Sequence, residues 1–125
     1  MCLISALELH EATDEIPHFV EIALPKGAEE PKLDYPPLRV YRFSGQAYAA
    51  GIQRRQLDGV EVRVYSLAKT IADCFKFRNR IGTDVAVAAL RTAVSERRVG
   101  IDELLDFARI DRVEKIMRPY LEAIR

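Results

Sequence analysis

The fold of this 125-residue chain is decided by the stretch Ile52-Gln53-Arg54-Arg55-Gln56-Leu57-Asp58-Gly59-Val60-Glu61-Val62-Arg63-Val64-Tyr65-Ser66. Asp58 and Gly59 tolerate the positive φ angles of a two-residue turn. The runs on either side, Ile52–Leu57 and Val60–Tyr65, are therefore predicted to pair as an antiparallel hairpin. In the second run valines alternate with Glu61, Arg63 and Tyr65, which predicts that one face of the strand, formed by Val60, Val62 and Val64, lies towards the core.

After Tyr65 the apolar residues recur at helical spacing. Ser66 is predicted to cap a helix that ends near Gly82. Its apolar stripe is formed by Leu67, Ala68, Ile71, Ala72 and Phe75. Three more helices are predicted, from Thr83 to Gly100, at Ile101–Ile110 and at Val113–Ile124.

The amino-terminal part of the chain supplies the remaining elements. A helix is predicted over Met1–Ala12, although no capping residue precedes it, which suggests that an upstream part is missing. Two strands follow, separated by a Pro- and Gly-containing loop at Lys26–Tyr35, and a short helical piece comes after them. The strands are predicted at Phe19–Leu24 and Leu38–Phe43, and the helical piece at Gln46–Ala50. We therefore expect one α/β (α+β) domain over residues 1–125, with a small mixed β-sheet of about four strands and about five helices.

Composition indicates an ordinary globular protein, since 49% of the residues are hydrophobic and 30% are charged. Charge is uneven along the chain: residues 1–36 carry two basic and eight acidic residues (2 − 8 = −6), and residues 37–125 carry 17 and 11 (17 − 11 = +6). The asymmetry fits an acidic arm over a basic face, a basic face for a polyanion, or simply unevenly charged solvated faces. The sequence shows no signal peptide and no apolar run that could span a membrane, which predicts a cytoplasmic protein without membrane partners.

The sequence offers little for catalysis. Glycines do not form a phosphate-binding pattern, and Cys2 and Cys74 lack metal-ligand or disulfide spacing, so neither a cofactor nor a metal is predicted. Cys74 is interpreted as a core residue. The two histidines, His10 and His18, are interpreted as packing or surface residues. Asp58 and Glu61 resemble a degenerate nuclease core, but Arg63 stands where such a core has Lys.

Basic residues form the strongest candidate for a binding site. Lys69, Asp73, Lys76 and Arg80 follow one another at spacings of four, three and four, which predicts a polar stripe opposite the apolar one. The candidate contacts for a partner or polyanion are Arg54, Arg55, Lys69, Lys76, Arg78 and Arg80. Two interpretations stay open: a specific binding face, or a solvated face whose last-turn cations favour the helix dipole.

Several segments resemble one known family. They are Leu33–Val40, Arg42–Gly45, Val62–Lys76, Phe77–Gly82 and Met117–Glu122. Together they are similar, in the same order, to the carboxyl-terminal region of AbiEi-type antitoxins, the transcriptional regulators of type IV toxin–antitoxin operons in abortive infection, a form of phage defence. The winged helix-turn-helix that precedes this region in the family is not part of the sequence.

The resemblance implies a regulatory or antitoxin effector domain that acts by binding and is not an enzyme. Its partner would be a cognate nucleotidyltransferase-like toxin, countered directly or functionally. Operator DNA would be bound only through the missing amino-terminal domain, which leaves weak, non-specific nucleic-acid binding to this chain. The alternatives are a nucleic-acid-processing enzyme with a degenerate nuclease-like core, and a structural domain that only dimerises.

Overall fold

The computed structural model describes residues 1–16, 18–32 and 36–124. The part of the predicted loop Lys26–Tyr35 that covers 33–35 lies outside the described residues, as does the start of the Leu33–Val40 segment. The chain contributes, in order, α1 (Leu3–Leu9), β1 (Val20–Pro25), β2 (Leu38–Phe43), α2 (Gln46–Ala49), β3 (Ile52–Leu57), β4 (Val60–Tyr65), α3 (Leu67–Lys76), α4 (Arg78–Ile81), α5 (Thr83–Ser95), α6 (Ile101–Ile110) and α7 (Glu114–Ile124).

The predicted α+β class is confirmed, and the four strands lie where the sequence placed them to within a residue or two. They form two small sheets. β1 and β2 pair in parallel, from Val20 opposite Leu38 to Pro25 opposite Phe43. β3 and β4 form the predicted antiparallel hairpin, and both turn residues have positive φ, 51° at Asp58 and 81° at Gly59, as a tight turn of mirror-image type requires.

The hairpin projects further from the body of the protein than its pattern suggests. Val64 at its base is 1% exposed, but Val60 beside the turn is 64% exposed, and Val62 is intermediate. The prediction that all three valines face the core is therefore wrong for Val60. Alternation assigns residues to a face of a strand, but whether that face is covered depends on what packs on it.

Helix α3 is the centre of the core. The hydroxyl oxygen of Ser66 accepts the backbone N–H of Lys69 at 3.2 Å, which is the predicted N-cap. The helix packs against α1, α5, α6 and α7. Because it is surrounded, every residue from Leu67 to Phe75 is buried. The predicted polar stripe is therefore wrong for Lys69 and Asp73, which are buried, whereas Lys76 at the end of the helix is partly exposed.

The start of α1 is capped from another part of the chain. Cys2 precedes the helix without a side-chain hydrogen bond of its own. The buried carboxylate of Glu21 on β1 accepts the backbone N–H of Ile4 at 2.7 Å, and its other oxygen accepts the hydroxyl of Tyr41 on β2 at 2.9 Å. A carboxylate at a helix amino terminus satisfies free N–H groups and favours the helix dipole. A tertiary contact thus supplies the cap that the local sequence lacks.

Candidate functional site

Four aromatic rings form a cluster beside α3. Phe77, between α3 and α4, meets Tyr41 and Phe43 of β2 edge-on, with ring centroids 5.1 and 5.2 Å apart. Tyr65 at the end of β4 lies 5.6 Å from Phe43. Tyr41 and Phe43 are buried, and Phe77 is partly exposed. Pairs of this geometry add stability beyond their buried area. We call these four rings the aromatic base, because they form a rigid support for side chains that pack on them.

Two of the predicted cations lie over this aromatic base. The Arg80 guanidinium carbon is 4.0 Å from the centroid of the Tyr41 ring. The Lys76 ammonium is 5.4 Å from the centroid of Phe43 and 5.9 Å from that of Phe77. Arg80 is exposed and Lys76 intermediate. We call Tyr41, Phe77, Lys76 and Arg80 the cation–aromatic face. Its rings hold two positive charges at the surface, where a negatively charged partner can reach them.

Lys69 lies beneath this face and is not at the surface. It is fully buried, and its ammonium donates to Oδ1 of Asp73 at 2.6 Å. The same ammonium is 3.9 Å from Oδ1 of Asp111, at the end of α6. It also lies 3.9 Å from the centroid of the Tyr65 ring and 4.8 Å from that of Phe43. Lys69 therefore cannot contact a partner, and its predicted place in the binding stripe is wrong.

Asp73 and Asp111 share this one lysine. Burial raises the pKa of Asp73 well above its ordinary value, and hydrogen bonding and charge repulsion from Asp111 raise the pKa of Asp73 further. Two ionised carboxylates beside one ammonium would leave a net negative charge in the core. The arrangement favours a proton on the pair, which lets one carboxyl donate to the other. The cluster is a buried polar contact between α3 and the end of α6.

The remaining predicted cations take separate partners. Arg54 lies 3.4 Å from Glu61 across the hairpin, and Nη2 of Arg55 is 3.4 Å from Nδ1 of His10. Arg78 donates to the carbonyl oxygen of Phe75 at the end of α3. Of the six predicted contact residues, Lys69, Lys76 and Arg80 lie over the aromatic rings, and of these three only Lys76 and Arg80 reach the surface.

The nuclease-like residues lie in an unsuitable place for metal chemistry. Asp58 is in the hairpin turn, and Glu61 is exposed and bound to Arg54. Across residues 1–16, 18–32 and 36–124, no three His, Cys, Asp or Glu side chains are grouped closely enough to hold a metal ion.

The interpretation of His10 and Cys74 as packing residues agrees with their positions. His10 is buried, and its Nε2 lies 2.8 Å from the carbonyl oxygen of Tyr65. Burial lowers the pKa of His10. Cys74 is also buried, which raises the pKa of its thiol and keeps it protonated and unreactive.

Sequence reasoning missed the aromatic part of the site. Tyr41 and Phe43 occur two residues apart on a predicted strand, a spacing that places both side chains on the same face. That signal was present in the sequence. What it could not show is that Phe77 and the cations of the α3–α4 region pack on the same face.

Comparison with protein-family models and with curated protein sequences finds no match to this chain. None of the helices within the described ranges is long and apolar enough to cross a bilayer.

Proposed function

We propose that this chain is the effector domain of an AbiEi-type antitoxin and transcriptional regulator, and that it works by contact through the cation–aromatic face. The observation that carries the proposal is the stacking of Arg80 on Tyr41 at 4.0 Å beside Lys76, which lies over Phe43. A cation held against a ring gives up less side-chain freedom when a partner binds, which favours recognition of an acidic surface.

The partner in this proposal is a nucleotidyltransferase-like toxin with an acidic docking surface. The family resemblance supports this choice, and the partly exposed Lys76 and the exposed Arg80 supply the complementary positive charge. A binding role also fits the position of the face, because Lys76 and Arg80 are held by ring contacts and are not tied up in ion pairs with carboxylates in the described part of the chain.

The test is neutralisation of the toxin in a co-expression assay. Lys76→Glu with Arg80→Glu reverses both charges of the face, and we expect this double variant to lose protection against growth arrest. The matched control is Arg91→Glu with Lys115→Glu, which changes the net charge equally at exposed positions on α5 and α7.

Protein levels and melting temperatures of both variants are measured in parallel, so that loss of protection is not confused with loss of folding. Full protection by the Lys76→Glu/Arg80→Glu variant would rule out this face as the contact. Failure of the unmodified chain to protect, both alone and joined to a DNA-binding domain of the family, would overturn the antitoxin role itself.

A further inference from the structure

Strand β3 is the most exposed of the four strands in the described residues, and it has a neighbour on only one side. Its sheet consists of β3 and β4, and each residue from Ile52 to Gln56 is exposed to solvent. An edge strand of this kind offers a row of backbone groups to another strand. We call the outer side of Ile52–Leu57 the β3 edge.

The hydrogen bonds of the hairpin show which backbone groups face outward. The N–H of Ser66 donates to the carbonyl oxygen of Gly51 at 2.7 Å, so Gly51, the residue before β3, bonds towards β4. Bonding alternates along an antiparallel strand. The backbone N–H and carbonyl groups of Ile52, Arg54 and Gln56 therefore point to the β3 edge. Within the described residues no hydrogen bond reaches these groups, and they are the donors and acceptors that a further strand needs.

On one face of the hairpin, two arginines share a single carboxylate. Arg54 lies directly opposite Arg63, and like charges in that arrangement repel. Oε1 of Glu61 is 3.4 Å from Nε of Arg54. In the described part of the chain no other carboxylate forms an ion pair with either arginine. This face thus has an excess of positive charge beside the β3 edge, where 78% of the Arg54 side chain is exposed.

The opposite face of the hairpin carries a second arginine. Arg55 is exposed, and its Nη2 lies 3.4 Å from Nδ1 of His10. It takes part in none of the ion pairs among the residues that the structure describes. Its cross-strand neighbour, Val62, is uncharged. The β3 edge is therefore positive on both faces, at the adjacent positions Arg54 and Arg55.

We propose that the β3 edge is a docking site for an extended acidic segment of a partner protein, which adds to the hairpin as a third strand. Backbone groups of the segment pair with those of Ile52, Arg54 and Gln56, and two adjacent carboxylates in it lie against Arg54 and Arg55. Successive side chains of a strand point to opposite faces, so adjacent carboxylates meet the two arginines in either strand direction. This surface includes no residue of the cation–aromatic face, and the inference does not rest on the proposed function.

The two arginines select this occupant over others that could approach an exposed edge. Two-fold pairing of β3 with β3 of a second copy, in the registers with the longest overlap, places Arg54 or Arg55 opposite its own counterpart, which is repulsive. A nucleic acid supplies negative charge but no ladder of N–H and carbonyl groups for the outward-facing backbone. An acidic strand satisfies both the backbone and the charges, whereas a neutral strand satisfies only the backbone.

The test measures binding of the fluorescein-labelled peptide Thr-Val-Asp-Glu-Val-Thr to the 125-residue chain by fluorescence anisotropy at low salt, where exposed charges are least screened. The control peptide has Asn-Gln in place of Asp-Glu, which keeps the side-chain shapes and removes both charges. Arg54→Glu with Arg55→Glu reverses the charge of the β3 edge. Arg91→Glu with Lys115→Glu is the matched control at exposed positions on α5 and α7. Circular dichroism verifies that both variants are folded.

We expect the unmodified chain and the Arg91→Glu/Lys115→Glu control to bind the acidic peptide about tenfold more tightly than the Asn-Gln peptide. The Arg54→Glu/Arg55→Glu variant should lose this preference and should instead favour a peptide with Lys-Lys in place of Asp-Glu. In the complex with the unmodified chain, hydrogen exchange followed by NMR should slow at the amides of Arg54 and Gln56, because their N–H groups face the added strand.

Several results would overturn the proposal. One is equal binding of the acidic and Asn-Gln peptides, or no binding of either at millimolar concentration. Another is unchanged exchange at Arg54 and Gln56 in the complex, since binding would then come from charge attraction without strand addition. Tighter binding of a short DNA duplex through the same arginines would make the occupant a nucleic acid. Dimerisation of the unmodified chain that Arg54→Glu/Arg55→Glu abolishes, measured by sedimentation, would make it a second copy.

Discussion

The ammonium of Lys69 lies 2.6 Å from Oδ1 of Asp73, one helical turn further along α3, and neither side chain is exposed to solvent. Ion pairs at this spacing on a helix surface contribute only a few tenths of a kcal/mol. In the core the pair matters more, because each charge has lost its hydration and only the attraction of the opposite charge offsets that cost. Lys69 is therefore a structural residue whose loss leaves Asp73 and Asp111 without a counter-charge.

Replacing Lys69 with an apolar residue of similar length should destabilise the protein severely. We expect Lys69→Met to lower the free energy of unfolding by about 3–5 kcal/mol, the usual cost of removing one partner from a buried pair. Urea denaturation at pH 7 measures the change. Lys76→Met, on the same helix but partly exposed, is the control and should cost about 1 kcal/mol or less. Similar losses in the two variants would contradict the buried position of Lys69.

The raised pKa of Asp73 predicts a pH dependence of stability. A carboxyl group whose folded pKa lies above its unfolded value binds more protons in the folded state, so its contribution to stability is present at low pH and is lost as pH rises through the folded pKa. Stability from this group should therefore decline from about pH 4 upwards, because its ordinary pKa is 3.8.

Asp111→Asn isolates this effect. The amide keeps the shape of the side chain and can donate to Asp73, and it removes the charge repulsion that raises the pKa of Asp73. We expect the difference in unfolding free energy between the variant and the parent to shift in favour of the variant as pH rises from 4 to 8. Because His10 and the surface carboxylates are common to both proteins, their titrations cancel in this difference. A difference that is constant with pH would refute the shared proton.

Charge reversal on the surface should spare the fold only where the side chains are exposed. Lys76→Glu with Arg80→Glu is expected to lower the free energy of unfolding by about 1 kcal/mol or less, the scale of surface charges and weak cation–π contacts. Adding Lys69→Glu should unfold the protein, since three carboxylates would then meet in the core. Thermal melting followed by circular dichroism measures the stability of both variants. A triple variant that melts at the same temperature as the double variant would contradict the buried position of Lys69.

A graded series along β4 tests how far the hairpin projects. Val64→Asp should unfold the protein, because it buries an unpaired carboxylate at a cost of several kcal/mol. Val62→Asp should have an intermediate effect, and Val60→Asp should change stability by about 0.5 kcal/mol or less. Melting temperatures of the three variants give the order directly, and equal losses at Val60 and Val64 would mean that the turn end of the hairpin is covered.

Gly51 combines a backbone requirement with a close approach. Its φ is 79°, and an added Cβ would lie 2.8 Å from Cβ of Lys69. Gly27 has a similar φ of 86° but has open space around it. We expect Gly27→Ala to cost about 1 kcal/mol from the backbone alone, and Gly51→Ala to cost at least about 1 kcal/mol more because α3 must move. Chemical denaturation measures the free energy of unfolding of both variants. Equal losses of free energy would show that the close contact with Lys69 is relieved at little cost.

Local signals in the sequence are enough to predict several elements of the fold. The Asp58-Gly59 turn fixed the hairpin, because few residues accept positive φ at two successive positions. Ser66 fixed the start of α3, because its hydroxyl satisfies an N–H only three residues away. Such interactions join neighbours in the chain, so the sequence displays both partners together. It was enough to predict the α+β class and the positions of the four strands found in the described residues.

Which charged residues of the α3–α4 region reach the surface depends on tertiary packing. The sequence predicts Lys69, Lys76 and Arg80 on one face of a single helix, yet α3 ends at Lys76 and Arg80 lies on α4. Of the three, Lys69 is buried and the other two reach solvent. The difference comes from Asp111, whose carboxyl group the end of α6 brings within 3.9 Å of Lys69, and from the rings of β2 beneath Lys76 and Arg80. A helical pattern records the angle at which a side chain points, but burial of a charge depends on a distant residue that offsets its desolvation.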